Sequence, residues 1–147
     1  MTMTAGLTRS QDGLDGIAWN ILGQTYVPKQ HSVNSLSWHA TFPKDTFVPP
    51  HIHPTQDEFV YVLDGTLDFW LDGKDMQAVA GDLARLPTGI PHGIFNRSGK
   101  TTTCLFWVSP TRRLFDLFHA LHNVPDPAEV VRLAAQHEVE FLPPPNA

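Results

Sequence analysis

Residues 49–65 read PPHIHPTQDEFVYVLDG and contain three side chains that can bind a metal ion, those of His51, His53 and Glu58. On an extended strand, alternate residues point to the same face, so the two imidazoles are predicted to lie side by side. Glu58 begins the apolar run that follows a turn-like segment, residues 54–57. A chain reversal at this segment would bring the carboxylate back over both imidazoles.

A second segment, residues 81–96, reads GDLARLPTGIPHGIFN and supplies a fourth possible ligand. This ligand is His92, in a short strand that the chain enters through Pro91. One histidine on a strand is more often an ordinary residue than a ligand. Three histidines and a glutamate at this spacing favour a shared metal site.

The two segments together resemble the two sequence motifs of the cupin superfamily. The matching positions are His51, His53, Glu58 and Gly65 in the first motif, and Gly81, Pro87, Gly89, His92 and Asn96 in the second. Asp45 stands where the family often has glycine, and aspartate tolerates turn conformations better than most residues. The resemblance covers residues 17–110 and implies that both motifs converge inside one β-barrel.

The composition is typical of a single soluble domain. The chain has 147 residues, of which 41% are hydrophobic and 17% charged, enough for one sizeable core. The net charge is −5 and no basic cluster is present, so we predict neither a nucleic-acid partner nor a membrane partner. Cys104 is the only cysteine, which excludes an internal disulfide. Because the N-terminus also lacks a signal-peptide pattern, we predict a cytoplasmic location.

The polarity pattern divides the chain into three segments. Residues 1–16 are polar and small, which predicts a flexible N-terminal tail. Residues 17–110 contain the short strands of the predicted β-barrel. Residues 111–147 are predicted to form helices packed on this barrel, with Ser109 as N-cap and Pro110 as first helical residue. Asp126 is the predicted start of a second helix.

Two Asp-Gly pairs, at positions 64–65 and 72–73, predict two-residue hairpin turns. Directly opposed residues of a hairpin share a face, so an inward-pointing Glu58 carries a set of residues inward with it. This predicted inward set is Val60, Val62, Leu67, Phe69, Leu71, Met76 and Ala78.

The same alternation places Phe59, Tyr61 and Trp70 on the outer face. Three large aromatic side chains there need cover. We predict a homodimer in which a second copy covers them. The alternative is cover by the N-terminal segment of the same chain.

The fold class follows from the number and length of the elements. Short strands separated by turns and followed by helices predict an all-β fold of the jelly-roll class, to which the cupins belong. We therefore predict a double-stranded β-helix barrel with one or two C-terminal helices. Residues 36–42 show the half-buried alternation of such a strand most clearly.

The ligand types limit the metal without identifying it. Imidazole and carboxylate suit one divalent transition metal, namely Fe(II), Mn, Ni, Co, Cu or Zn. Structural zinc is less favoured because such sites usually contain cysteine. Three histidines and a glutamate leave open positions on a six-coordinate ion, as catalysis requires. Glu58 is predicted either to bind the metal or to act as the catalytic general base.

The predicted interior is apolar and aromatic, with Trp38, Val60 and Phe69 as candidate substrate-binding residues. No interior cluster of Arg or Lys is evident, which argues against phosphorylated sugars. The sequence WNILG at residues 19–23 and VSP at residues 108–110 resemble small single-domain cupins of the quercetin 2,3-dioxygenase-like group. The resemblance implies O2-dependent cleavage of an enolisable or phenolic small molecule.

Two alternative functions stay open at this stage. One is a metal-dependent isomerase, lyase or decarboxylase without oxygen chemistry. The other is a non-catalytic small-molecule-binding protein, in which the histidines hold no metal or a purely structural one. Fold analogy alone does not establish an activity.

Overall fold

The computed structural model describes residues 4–143, in which strands from two antiparallel sheets enclose one apolar interior. The strands are β1 (Trp19–Ile21), β2 (Gln24–His31), β3 (Leu36–Phe42), β4 (Phe47–Ile52), β5 (Asp57–Asp64), β6 (Thr66–Leu71), β7 (Lys74–Val79), β8 (Leu83–Leu86), β9 (His92–Phe95), β10 (Thr102–Ser109) and β11 (Glu140–Phe141). The larger sheet has the order β1-β2-β3-β10-β5-β8, and the smaller has β11-β4-β9-β6-β7. This architecture confirms the predicted all-β jelly-roll barrel.

Strict alternation of apolar and polar residues builds the larger sheet. In β3, Leu36, Trp38, Ala40 and Phe42 are buried, whereas the residues between them are half-buried. The neighbouring strand β10 alternates in the same way along most of its length. Because side chains on a strand alternate between faces, one face of each strand forms the core and the other stays partly exposed.

The second of the two predicted hairpins is confirmed. Strands β6 and β7 pair directly, with Leu71 opposite Lys74 and Phe69 opposite Met76. Asp72 and Gly73 both have positive φ, 48° and 84°, as a type I′ turn requires. Met76 was predicted to point inward, yet it is 43% exposed. It lies on β7, the edge strand of the smaller sheet, where cover is incomplete.

The predicted hairpin at residues 64–65 is wrong. Strand β5 pairs with β10 and β8, whereas β6 pairs with β7 and β9, so the chain crosses from one sheet to the other at Gly65. Gly65 has a φ of +94°, and a Cβ atom there would lie 2.5 Å from Thr102 Oγ1. The predicted inward positions in β5 and β6 nevertheless hold for Val60, Val62, Leu67 and Phe69, because both sheets face the same interior.

The predicted outer aromatic residues lie on the outer faces of two different sheets. Phe59 and Tyr61 belong to the larger sheet, where the Phe59 ring stacks on Trp107 at 5.1 Å between centroids. Trp70 belongs to the smaller sheet and is half-buried. No single surface therefore contains all three rings.

Two helices follow the barrel, α1 (Leu114–Leu121) and α2 (Pro127–Ala135). The predicted start of α1 at Ser109 is wrong, because Ser109 is the last residue of β10 and pairs with Asp57. The predicted start of α2 is confirmed, since the Asp126 side chain accepts a hydrogen bond from the N–H of Ala128. The apolar stripe of α1 is buried, and it consists of Leu114, Leu117, Phe118 and Leu121.

The N-terminal segment, from residue 4 onward, runs beside β2. The Thr4 N–H donates to His31 O at 2.9 Å, and Thr8 Oγ1 donates to Lys29 O at 2.6 Å. The flexibility predicted for residues 1–16 stays a prediction. Residues 1–3 of that tail and residues 144–147 of the C-terminal segment lie outside the described part. Between residues 4 and 143, none of the helices has the length and apolarity that crossing a membrane demands.

Candidate metal centre

The four predicted ligands meet in the interior, and strands from both sheets position them. In the smaller sheet, His51 in β4 is paired directly with His92 in β9. His53 follows the end of β4, and Glu58 comes from β5 in the larger sheet. One candidate donor atom from each side chain lies within 4.8 Å of all the others. The convergence of these residues was predicted from the spacing of the motifs.

The cluster is closed to solvent and tightly spaced. Its members are 0% to 4% exposed. His53 Nε2 is 3.2 Å from Glu58 Oε2, and His92 Nε2 is 3.6 Å from Glu58 Oε1. The buried His92 Nε2 has no hydrogen-bond partner within the described chain. A buried polar atom without a partner is costly, and a ligand at this position would satisfy it.

The other ring nitrogen of each histidine is hydrogen-bonded to an oxygen. His51 Nδ1 is 2.7 Å from Pro49 O, and His92 Nδ1 is 3.3 Å from Ile90 O. His53 Nδ1 is 2.8 Å from the side-chain oxygen of Gln56. Because these oxygens only accept, they favour a proton on Nδ1 and a lone pair on Nε2. Such a lone pair is what a metal ion needs.

Burial and neighbouring charges shift the pKa values of the clustered residues in different directions. Burial, together with the neighbouring His92 and His53, holds the pKa of His51 well below its ordinary value. Burial alone would raise the pKa of Glu58, but the charge and hydrogen bond of His53, with a smaller effect from His92, lower it well below its usual range. For His53, burial acts downward, but Glu58 raises its pKa overall. A neutral His51 and an ionised Glu58 are the forms that bind metals.

The donor set fits a transition-metal ion. Ligand bonds of ~2.0–2.2 Å place opposite donors about 4 Å apart around one ion, close to the 4.8 Å span of these atoms. Nitrogen and carboxylate donors without sulfur match the divalent ions from Mn to Zn. The one cysteine, Cys104, is buried elsewhere in β10 and is not part of the cluster.

A small apolar cavity of about 50 Å³ adjoins the cluster. His51, His53 and Glu58 form one wall, and α1 contributes Leu114, Leu117, Phe118 and Leu121 to another. Tyr26 also lines the cavity, and its hydroxyl donates to Gln24 Oε1 at 2.7 Å. Within the described chain, no Arg or Lys lines it. The helix therefore covers one side of the candidate site with hydrocarbon.

The predicted substrate-binding residues lie in the core rather than along this cavity. Trp38, Val60 and Phe69 are all 2% exposed or less, and none of them lines the cavity. Trp38 stacks on Phe106, with ring centroids 5.3 Å apart, and Phe106 is the ring that reaches the cavity. Their role in substrate binding stays a prediction.

Sequence reasoning missed two polar residues near the cluster, Gln56 and Tyr26. Gln56 was placed in a turn, although its position two residues before Glu58 continues the inward alternation of β5. Tyr26 lies two residues after the buried Gln24 in β2 and shares its inward face. In both cases the period-two signal was present, and extending it by one step would have identified the residue.

Comparison with known proteins places this geometry in a family. A family model described as a cupin domain matches residues 38–109, a range that contains all four clustered residues. The chain belongs to the cupin superfamily. Similar solved structures show the same fold: an RmlC-like cupin from Shewanella frigidimarina has a TM-score of 0.69 at 19% identity and covers 78% of this chain and 99% of its own. KdgF from a Halomonas species gives a TM-score of 0.67 at 18% identity, over 76% and 99% of the two chains.

Two curated proteins share part of this cupin's sequence. Quercetin 2,3-dioxygenase from Bacillus subtilis is 40% identical over 53 residues, which are 36% of this chain and 16% of the relative. The tetracenomycin polyketide synthase protein TcmJ from Streptomyces glaucescens is 28% identical over 82 residues, 55% of each chain. The matches thus span about one sixth and about half of the relatives' lengths.

Proposed function

We propose that this cupin binds one divalent transition metal through His51, His53, Glu58 and His92. The convergence of four buried donor atoms within 4.8 Å carries this proposal. His92 Nε2 supports it: the atom makes no hydrogen bond within the described chain and lies 3.6 Å from Glu58 Oε1, and an ion at the centre of the cluster would satisfy it. When bound, such an ion supplies Lewis-acid and redox chemistry at its open coordination positions.

We further propose that the protein is a dioxygenase that cleaves an enolisable or phenolic small molecule with O2. The partial similarity to a quercetin 2,3-dioxygenase supports the reaction type. The second relative is named for a polyketide synthase, and flavonols and polyketides both carry phenolic or enolisable oxygens. The compounds in these two names share this chemistry. It favours a substrate that loses a proton from oxygen or from an activated carbon.

Glu58 has two alternative proposed roles: a metal ligand, or, when its carboxylate does not bind the ion, the general base of this reaction. His53 and His92 hold the carboxylate in the ionised form and lower its pKa, which favours the ligand role. Accepting a proton as the base would require Glu58 to leave these contacts, because a carboxylate with a lowered pKa is a weak base. Glu58 lies at the wall of the cavity, beside the histidines, where the reacting oxygen of a bound substrate would lie. The apolar remainder of the lining excludes water and would contact the hydrocarbon part of a substrate once the cavity, now about 50 Å³, widens to admit it.

The cavity also limits the substrate class. Its lining offers no cation for a phosphate, and Tyr26 is its only polar side chain outside the cluster in the described chain. A sugar would bury several hydroxyl groups without partners there, and each such group is costly. These features favour a flat, mostly apolar molecule with one metal-binding end over a sugar phosphate.

Oxygen uptake by the metal-loaded protein tests the proposal. Flavonols, β-diketones and catechols would be screened with and without O2, with His92→Ala as the inactive control. We expect substrate loss coupled to oxygen uptake with at least one compound. Turnover in the absence of O2 would instead identify an isomerase, lyase or decarboxylase. Metal binding without turnover of any compound would favour a binding protein.

A further inference from the structure

We propose that Gln56 is a positioning residue that holds the imidazole of His53 in the tautomer required of a metal ligand. The inference rests on the proposed metal site and extends it to a residue outside the four ligands. Gln56 is 2% exposed, and its side-chain amide makes hydrogen bonds at both ends. A buried glutamine with this many partners has one fixed orientation.

The hydrogen-bond partners decide which end of the amide faces the histidine. One end lies 2.7 Å from Thr111 O and 3.1 Å from Pro110 O. Both partners are carbonyl oxygens, which only accept, so this end must be the NH2 group that donates two hydrogen bonds. The carbonyl end of Gln56 therefore faces His53, where it can only accept.

This orientation determines where His53 carries its proton. The Nδ1 atom of His53 lies 2.8 Å from Gln56 Oε1 and must donate to it. Without a metal, Nε2 lies 3.2 Å from the Glu58 carboxylate and can donate a second proton to it. A metal ion would displace that proton, and with Nδ1 protonated the lone pair then belongs to Nε2, the atom that faces the other ligands. A histidine that binds a metal through Nε2 needs this tautomer, and a hydrogen-bonded partner on the other nitrogen also increases ligand basicity.

Gln56 differs from the supports of the other two histidines. His51 and His92 have their Nδ1 atoms at the backbone carbonyls of Pro49 and Ile90, two residues before each ring. Because these partners are backbone carbonyl oxygens, a change of side chain at residue 49 or 90 does not remove them. In the described chain, His53 is the one histidine of the cluster whose Nδ1 partner is a side chain.

The far end of Gln56 is itself held in place. Thr111 donates its N–H to Val33 O at 3.2 Å and its hydroxyl to Ser32 O. The Thr111 carbonyl also accepts the N–H of Leu114, the first residue of α1. The orientation of His53 is therefore linked to the segment that begins the helix over the cavity.

Metal affinity of the Gln56 variants tests this role. Gln56→Leu removes the acceptor with little change of volume. Gln56→Glu keeps an oxygen toward His53 but loses the two hydrogen bonds that the amide donates to Thr111 O and Pro110 O. Gln77→Leu, on the exposed strand β7, is the matched control. Co²⁺ affinity of chelator-stripped protein would be measured by competition titration. We expect a ~10–100-fold loss for Gln56→Leu, a smaller loss for Gln56→Glu, and no change for Gln77→Leu. Unchanged affinity in a folded Gln56→Leu protein, or a loss of the same size in Gln77→Leu, would overturn the proposal.

A second measurement needs no metal and separates this inference from the proposed function. Long-range ¹H–¹⁵N correlation spectra of the metal-free protein report which ring nitrogen of His53 carries the proton. We expect a proton on Nδ1 in the wild type, whether or not Nε2 also carries one toward Glu58, and loss of the Nδ1 proton in Gln56→Leu. A wild-type His53 protonated only at Nε2, or a spectrum unaffected by Gln56→Leu, would contradict the positioning role. If the wild type bound no metal at all, the metal site would fail while the tautomer could still be read.

Discussion

The imidazoles of His51 and His92 face each other across two paired strands, with ring centroids 4.4 Å apart. The two residues are direct cross-strand partners of β4 and β9. The hydrogen-bond register of this strand pair therefore sets their spacing. A slip by one residue would turn one ring to the opposite face of the sheet. The candidate site thus depends on correct strand pairing as much as on the identity of its side chains.

Metal content should depend on both partners of this pair. We expect elemental analysis of wild-type protein, purified without chelators, to give one divalent metal per chain. His51→Ala and His92→Ala should each lower this content severely, because three remaining donors bind far less tightly than four. His39→Ala, on the outer face of β3, is the matched control and should keep its metal. Full metal content in either cluster variant would show that the ion binds elsewhere.

The alternating patterns of this chain predicted which way most side chains face, but not which strands pair. Alternate residues of β3 and β5 point inward, as the pattern predicted. The Asp-Gly signal at residues 64–65 wrongly predicted a hairpin, because a turn signal is local and does not record which sheet the next strand joins. The close contact between Gly65 and Thr102, far apart in sequence, accompanies the crossing. No pattern around residue 65 contains that information.

The candidate site was predictable because its chemistry is concentrated in two short motifs. The supports of the site were harder to predict, since Gln56 reaches a segment more than fifty residues away. The contribution of α1 to the cavity wall was also not predictable. An apolar stripe predicts that one face of a helix is buried, but not which surface it packs against. For the same reason the sequence suggested Trp38 as a substrate-binding residue. Trp38 instead stacks on Phe106, and Phe106 is the ring that lines the cavity.

The crossing between sheets should be sensitive to substitution at Gly65. An added Cβ would lie 2.5 Å from Thr102 Oγ1 and 3.0 Å from Thr102 Cα. Gly65→Ala combines this overlap with a left-handed backbone, and we expect it to lower the free energy of unfolding by about 3 kcal/mol. Gly73→Ala has a similar φ but no atom within 4 Å, so it should cost only ~1 kcal/mol. Urea unfolding of the two variants measures the difference, and equal losses would contradict the steric explanation.

The thiol of Cys104 should stay protonated and unreactive in the folded protein. Burial raises its pKa to about 12 from an ordinary value of 9.0. Above pH 9.0 the unfolded chain therefore loses this proton while the folded chain keeps it, so the unfolded state binds fewer protons and stability falls as pH rises. We expect Cys104→Ala to show a shallower loss of stability between pH 9 and 11 than the wild type. A thiol reagent that labels native protein as fast as unfolded protein would contradict this burial.

The outer face of the larger sheet is where we expect the second subunit of the predicted homodimer. Tyr61 lies between Leu105 and Leu83 in adjacent strands, and Tyr61 and Leu83 are 39% and 59% exposed. The Arg85–Asp57 ion pair, at 3.2 Å, lies on the same face. Apolar side chains flanked by both charge signs suit association with an identical surface.

Light scattering at micromolar concentration tests this arrangement. The wild type should be a dimer, and Tyr61→Glu combined with Leu83→Glu should be a monomer. Met76→Glu is the matched control, because Met76 is 43% exposed but lies on the smaller sheet. A monomeric wild type would remove the dimer, whereas dissociation by Met76→Glu alone would move the interface to the other sheet.

The size of the cavity predicts that α1 controls which substrates fit. At about 50 Å³, the cavity is far smaller than the ~300–1,000 Å³ of pockets that hold drug-sized ligands. A two-ring substrate must therefore displace part of α1. Leu117→Ala removes side-chain volume from the wall and should raise kcat/KM for a flavonol relative to a catechol, despite a stability cost of ~2–5 kcal/mol. The matched control for Leu117→Ala is Val130→Ala, because Val130 is buried in α2 but does not line the cavity. This variant should lower stability without changing the ratio of kcat/KM for a flavonol to that for a catechol. An equal shift of that ratio in both variants would mean that general loosening of the helices, rather than the volume beside Leu117, limits entry.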